Sequence, residues 1–109
     1  MENKNKKRIY ISLPISGYDL EERKETALAM EVKLRGRGYD VFNPFNNGLP
    51  DEASTYEHMK ADIKALLDCD VIMFMHNFNK SAVCHTELCV AMACGMEIWF
   101  DDLQAPQKI

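Results

Sequence analysis

The sequence predicts an α/β domain: a three-layer, doubly wound parallel sheet of about four strands, Rossmann or flavodoxin-like. Three observations carry that expectation. Strand-type runs and helix-type periodicity alternate along the whole chain, in the order β-α-β-α-β-α-β. The run Val71-Ile72-Met73-Phe74-Met75 is apolar at every position, as in a strand covered on both faces. Glycines or an Asn-Pro pair stand where most of these segments should stop.

Each element has its own signal. Arg8-Ile9-Tyr10-Ile11-Ser12-Leu13 is a β-rich run ended by Pro14 and the turn-prone Ser16-Gly17. A helix is expected over about 20–35, with Ala27, Met30 and Leu34 on one face, closed by Gly36 and Gly38. Residues 39–42 form a short second strand stopped by Asn43-Pro44, and 43–51, rich in Asn and Pro, is a loop. The second helix begins at Ser54 with Glu57 three residues on, the capping-box pattern, and its buried stripe is Met59, Ile63, Leu66 and Leu67. After the third strand, a helix of mostly small apolar residues carries Glu87 and ends at Gly95, and 96–100 is the fourth strand. The expected organisation is a flexible N-terminus over 1–7, one domain over 8–100 and a tail over 101–109 without periodicity.

Composition excludes several classes. The chain is 109 residues, 47% hydrophobic and 28% charged, ordinary for a globular domain. A net charge of −4 argues against a nucleic-acid partner. No segment reaches the roughly 20 apolar residues of a membrane helix, so no membrane partner is expected and the chain reads as cytoplasmic. Cys84, Cys89 and Cys94 recur every five residues, which turns each about 140° from the last on a helix. They share no face, and with Cys69 they read as free, reduced core cysteines; no metal site and no cofactor is expected.

A doubly wound sheet binds ligands outside its strand carboxyl ends. Those ends are residues 12–17, 43–47 and 76–81. The first loop has two hydroxyls and a glycine ahead of a helix, a turn able to meet an anion or a sugar, but it is neither a dinucleotide fingerprint nor a P-loop. Glu87 is a lone carboxylate on an otherwise apolar helix. His85 lies two residues away, about 200° around the helix, so the two form no dyad. No Gly-x-Ser-x-Gly elbow is present. Tyr10 reads as a core aromatic whose hydroxyl reaches a polar edge, Asp62 as a helix residue beside the apolar stripe, and His58 as a helix-surface residue.

Taken together, Ile9-Tyr10-Ile11-Ser12-Leu13-Pro14-Ile15-Ser16-Gly17, Gly38-Tyr39-Asp40-Val41-Phe42-Asn43-Pro44, Asp62-Ile63, Cys69-Asp70-Val71-Ile72, and Glu87 with Ala91 and Gly95 resemble the nucleoside 2-deoxyribosyltransferase superfamily. Within it the chain is most similar to the small domain-of-unknown-function 4406 branch, over about residues 8–100. The resemblance implies cleavage of a nucleoside or nucleotide N-glycosidic bond, or deoxyribosyl transfer, through a glutamate nucleophile. Glu87 would attack the anomeric carbon, Tyr10 would orient that carboxylate, and Asp62 would hold or help protonate the base. Ser12, Pro14, Ile15, Ser16 and Gly17, then Asn43 and Pro44, fall on the substrate-binding strand ends. Family transferases often carry acidic residues and glycine just before the glutamate. Here that stretch is Asn79-Lys80-Ser81-Ala82-Val83, so Ser81, Asn79 or His85 is expected to serve the sugar hydroxyls. The resemblance also implies a homodimer or higher homo-oligomer. The alternative is a non-catalytic protein that senses or sequesters a nucleotide or an ADP-ribose derivative in the same pocket.

Overall fold

The computed structural model describes residues 6–101. The N-terminus expected over 1–7 and the tail expected over 101–109 therefore lie, except for residues 6, 7 and 101, outside the described residues. Four strands, β1 (Arg8–Ser12), β2 (Asp40–Phe42), β3 (Val71–Phe74) and β4 (Glu97–Phe100), form one parallel sheet in the order β2-β1-β3-β4. Three helices, α1 (Leu20–Gly36), α2 (Thr55–Leu66) and α3 (Ala82–Ala93), connect them. The register runs Ile9 against both Val41 and Val71, and Val71 against Glu97.

The alternation of β1 builds both faces of the core. Ile9, Ile11 and Leu13 point to one side, where Ala27, Met30 and Leu34 of α1 cover them with Val41, Val71, Met73 and Met75. Tyr10 points to the other side, into a cluster with Leu66, Ile72, Phe74, Cys84 and Ala91 beneath α2 and α3. The chain leaves β1 toward β2 through α1, then crosses back through α2 to β3 on the other flank of β1. That reversal puts the switch point between β1 and β3, with a crevice at their carboxyl ends.

Local chemistry sets the boundaries. Asp19 caps α1 by accepting from the Glu22 N–H, Ser54 and Glu57 form the expected reciprocal capping box, and Ser81 accepts from the Cys84 N–H at the start of α3. Of the two glycines expected to close α1, Gly36 is still helical and Gly38 takes the left-handed turn, with φ +93°. The loop over 43–51 holds one turn of 3-10 helix at Pro44–Asn46, started by Asn43, whose Oδ1 accepts from the Phe45 N–H.

Two burial expectations are corrected. Leu67 caps the end of α2 and is 56% exposed, because it stands about 100° around the helix from the fully buried Leu66. Cys69 and Cys84 are buried, but Cys89, about 140° around α3 from Cys84, and Cys94, at the C-cap of that helix, are exposed.

Leu66 is the one fully buried side chain of α2. Leu66→Ala should therefore destabilise the fold by about 2–5 kcal/mol in urea unfolding. Leu67→Ala should change stability by no more than about 0.5 kcal/mol.

Candidate active site

Tyr10 and Ser12 are two apart on β1, so both side chains project to the α2–α3 face near the strand's carboxyl end. Glu87 lies in the second turn of α3, on the same face as Cys84 and Ala91, which pack on the sheet. The three meet. The Tyr10 hydroxyl donates to Glu87 Oε2 at 2.5 Å, and the Ser12 hydroxyl donates to Glu87 Oε1 at 2.6 Å. Both carboxylate oxygens thus have a short, charge-assisted partner. The Tyr10 ring is held in turn by stacking on Phe42, centroids 5.3 Å apart.

Glu87 is only 3% exposed, and among the described residues no cation pairs with it. Burial raises its pKa to about 7. The Ser12 and Tyr10 bonds pull it down, and the nearby Asp62 carboxylate pushes it up. Tyr10 is pushed well above the usual phenol range, first by burial and then by the Glu87 charge, so it stays a donor.

A cavity of about 210 Å³ opens at this edge of the sheet. Leu13, Ile15, Ser16 and Leu20 line it from the first loop and α1; Pro44, Phe45, Asn47, Leu49 and Asp51 from the second loop. Thr55, His58, Met59 and Asp62 of α2 and Ser81 and Val83 at the start of α3 complete it. Glu87, Tyr10 and Ser12 are not among the lining residues. The link between the two is electrostatic, through Asp62.

The structure distributes the sequence candidates as follows. Ile15, Ser16, Pro44, Ser81 and Asp62 are on the cavity wall. Gly17 occupies the third position of the turn closed by Tyr18 N–H to Ile15 C=O at 3.1 Å, with φ +87°, a conformation that demands glycine. Pro14 is buried, and its carbonyl accepts from Arg23 Nη1 at 3.4 Å. Ser12 is 1% exposed and its hydroxyl is taken by Glu87. Asn43 is also buried away from the cavity, its carboxamide bridging Phe45 N–H and Glu31 Oε1. His85 is exposed and bonds the Asn79 carbonyl at 2.9 Å, on a different side of α3 from Glu87.

Sequence reading missed Asn47 and misplaced His58. His58 is half-buried rather than on the surface, because the 43–51 loop folds over it. Asn47 Nδ2 lies 2.9 Å from Asp62 Oδ1 and 3.0 Å from His58 Nδ1. Burial raises the Asp62 pKa, against the lowering effect of the Asn47 bond and the nearby His58. The available signal was the i, i+4 spacing of His58 and Asp62, which puts both on one helix face.

Three comparisons with known proteins bear on this site. The family described as Domain of unknown function (DUF4406) matches residues 7–100. The chain is similar to the Clostridium botulinum CMP N-glycosidase BcmB, at 22% identity and TM-score 0.61, over 86% of this chain and 67% of that one. It is also similar to a 2-deoxyribosyltransferase of Bacillus psychrosaccharolyticus, at 21% identity and TM-score 0.69, over 94% and 77% of the two chains. At these identities the likeness is one of fold, the parallel sheet described above. No curated protein sequence matches the chain at comparable significance.

The raised Glu87 pKa has a consequence for stability. Between about 4.5 and 7 the folded protein holds a proton at Glu87 that the unfolded chain has released, so folding stability falls as pH rises through that window. Glu87→Gln removes the linkage. In thermal unfolding followed across pH 4–8, the variant should gain on the wild type as pH rises, reaching an advantage of at most about 3 kcal/mol above pH 7.

Proposed function

The chain belongs to the Domain of unknown function (DUF4406) family, and from that membership and the geometry around Glu87 we propose that it is an enzyme cleaving the N-glycosidic bond of a 2′-deoxyribonucleoside, with Glu87 as nucleophile. The observation that carries the reading is the buried carboxylate itself. A glutamate removed from water with no cation beside it costs the fold stability and returns none. Two hydroxyl donors, rigidly placed by the central strand, hold it at the ligand edge of the sheet. Such an arrangement suits a carboxylate that must meet positive charge building at an anomeric carbon. The similar solved structures, named a CMP N-glycosidase and a 2-deoxyribosyltransferase, support the same class of bond.

In the first step a Glu87 oxygen bonds to C1′ as the C1′–N bond breaks, its electron pair leaving with the base, which takes up a proton from the Asp62 carboxyl or from water. Burial shifts the Asp62 carboxyl upward from its usual range, and Asp62 lies on the cavity wall. In the second step water, losing its proton to the Asp62 carboxylate, attacks C1′ and frees Glu87; an incoming base in place of water gives transfer. Tyr10 and Ser12 position the carboxylate and spread its charge. Among the described residues the cavity wall carries Asp51 and Asp62 but no Lys or Arg, and the charge of the Lys24 ammonium is paired with Asp51 at 2.7 Å. That balance favours a neutral nucleoside over its 5′-monophosphate.

A second reading, nucleoside binding without turnover, is favoured by one observation: Glu87 does not itself line the cavity. Chromatography after incubation with a nucleoside panel separates the two, since free base marks the enzyme and a thermal shift with intact ligand marks the binder.

The enzyme reading makes three expectations. Glu87→Ala should lower base release by at least about 1000-fold while nucleoside binding, read by calorimetry, survives. The rate should rise with pH through about 7 as Glu87 ionises, and Tyr10→Phe, lacking one donor, should shift that rise to higher pH. Nucleosides should be cleaved with higher kcat/KM than their monophosphates.

A further inference from the structure

The Asn47 carboxamide has only one possible orientation. Its Oδ1 accepts from the Leu49 N–H at 3.0 Å, so the nitrogen end faces α2. The two protons on Nδ2 then go to Asp62 Oδ1 at 2.9 Å and to His58 Nδ1 at 3.0 Å. A nitrogen that accepts from Asn47 carries no proton. A neutral His58 in this contact therefore carries its proton on Nε2, and Nε2 has no partner among the described residues. His58 lines the cavity beside Asp62, one turn along the same helix face.

We propose that His58, with its tautomer set by Asn47, donates from Nε2–H to a carbonyl oxygen or ring nitrogen of the departing nucleobase. This rests on the nucleoside reading of the cavity. As the C1′–N bond breaks, its electron pair spreads onto those acceptor atoms, and a donor that meets them binds the leaving base more tightly than the bound substrate. His58 keeps its proton throughout; the base is protonated by Asp62 or water. Nothing about this role is visible from Glu87, because the nucleophile acts on the sugar and His58 on the leaving group.

A leaving group that needs no such help separates the two. Release of base from 2′-deoxyribonucleosides is compared with release of nitrophenol from 4-nitrophenyl 2-deoxyriboside, in the wild type, His58→Ala and Asn47→Asp. His58→Ala should raise the ratio of nitrophenol release to base release by about 100-fold. Asn47→Asp keeps the bond to the Leu49 N–H but offers His58 Nδ1 an acceptor, which moves the imidazole proton off Nε2; it should raise the ratio in the same direction. Nitrogen-15 NMR of the imidazole should show Nδ1 unprotonated in the wild type and protonated in Asn47→Asp. An unchanged ratio in His58→Ala, or a wild-type His58 protonated on Nδ1, overturns the proposal and leaves the Glu87 nucleophile standing. A Glu87→Ala variant that still releases nitrophenol at the wild-type rate overturns the nucleophile reading instead.

Discussion

A carboxylate kept from water, bonded among the described residues by two hydroxyls, is the constraint on which the rest of this structure turns. Glu87 accepts from Tyr10 and Ser12, and both donors come from β1, one of the two inner strands of the sheet. The pairing of β1 with β2 and β3 fixes where those hydroxyls sit, and Ala91 and Cys84 fix where α3 presents its glutamate. The core residues beneath the site are therefore also its positioning machinery. A shift of α3 by more than about 1 Å would unmake two short hydrogen bonds and leave a charge buried without partners.

The same constraint divides labour across the cavity. Apolar side chains supply most of its wall, and its polar groups come from separate elements: Ser16 from the first loop, Asn47 and Asp51 from the second, Thr55, His58 and Asp62 from α2, Ser81 from the cap of α3. The buried carboxylate belongs to the β1–α3 junction, and the imidazole and the second carboxyl to α2 and the loop bonded to it. Asn47 ties the second pair together, since one carboxamide bonds its own loop and two side chains of the helix.

Much of this was legible in the sequence, and the limits have physical causes. Element order and parallel topology followed from alternating periodicities and from the wholly apolar third strand. The capping box at Ser54 followed from local spacing alone. Glu87 was visible because a lone carboxylate on an apolar helix has few ordinary explanations, and Tyr10 was tied to it through family resemblance. That Ser12 spends its hydroxyl on Glu87 was not legible, because it depends on how far along β1 the helix α3 docks. Asn47 and His58 were missed for a related reason: the 43–51 loop folds back through a 3-10 turn that no periodicity announces. The exposure of Leu67, Cys89 and Cys94 shows the limit of reading burial from residue type near a helix end or outer face.

The anchoring of α2 has one more consequence. Three fully or nearly buried side chains fasten α1 to the sheet, and three fasten α3, whereas α2 has Leu66 alone, at its last residue. Its first turns, which carry Thr55, His58, Met59 and Asp62, are held mainly by a cap and by the Asn47 bonds. The free energy of opening this segment is accordingly lower than that of unfolding the molecule. The polar half of the cavity wall is thus the half with the fewest buried anchors, while the strand and helix that hold the carboxylate carry the most.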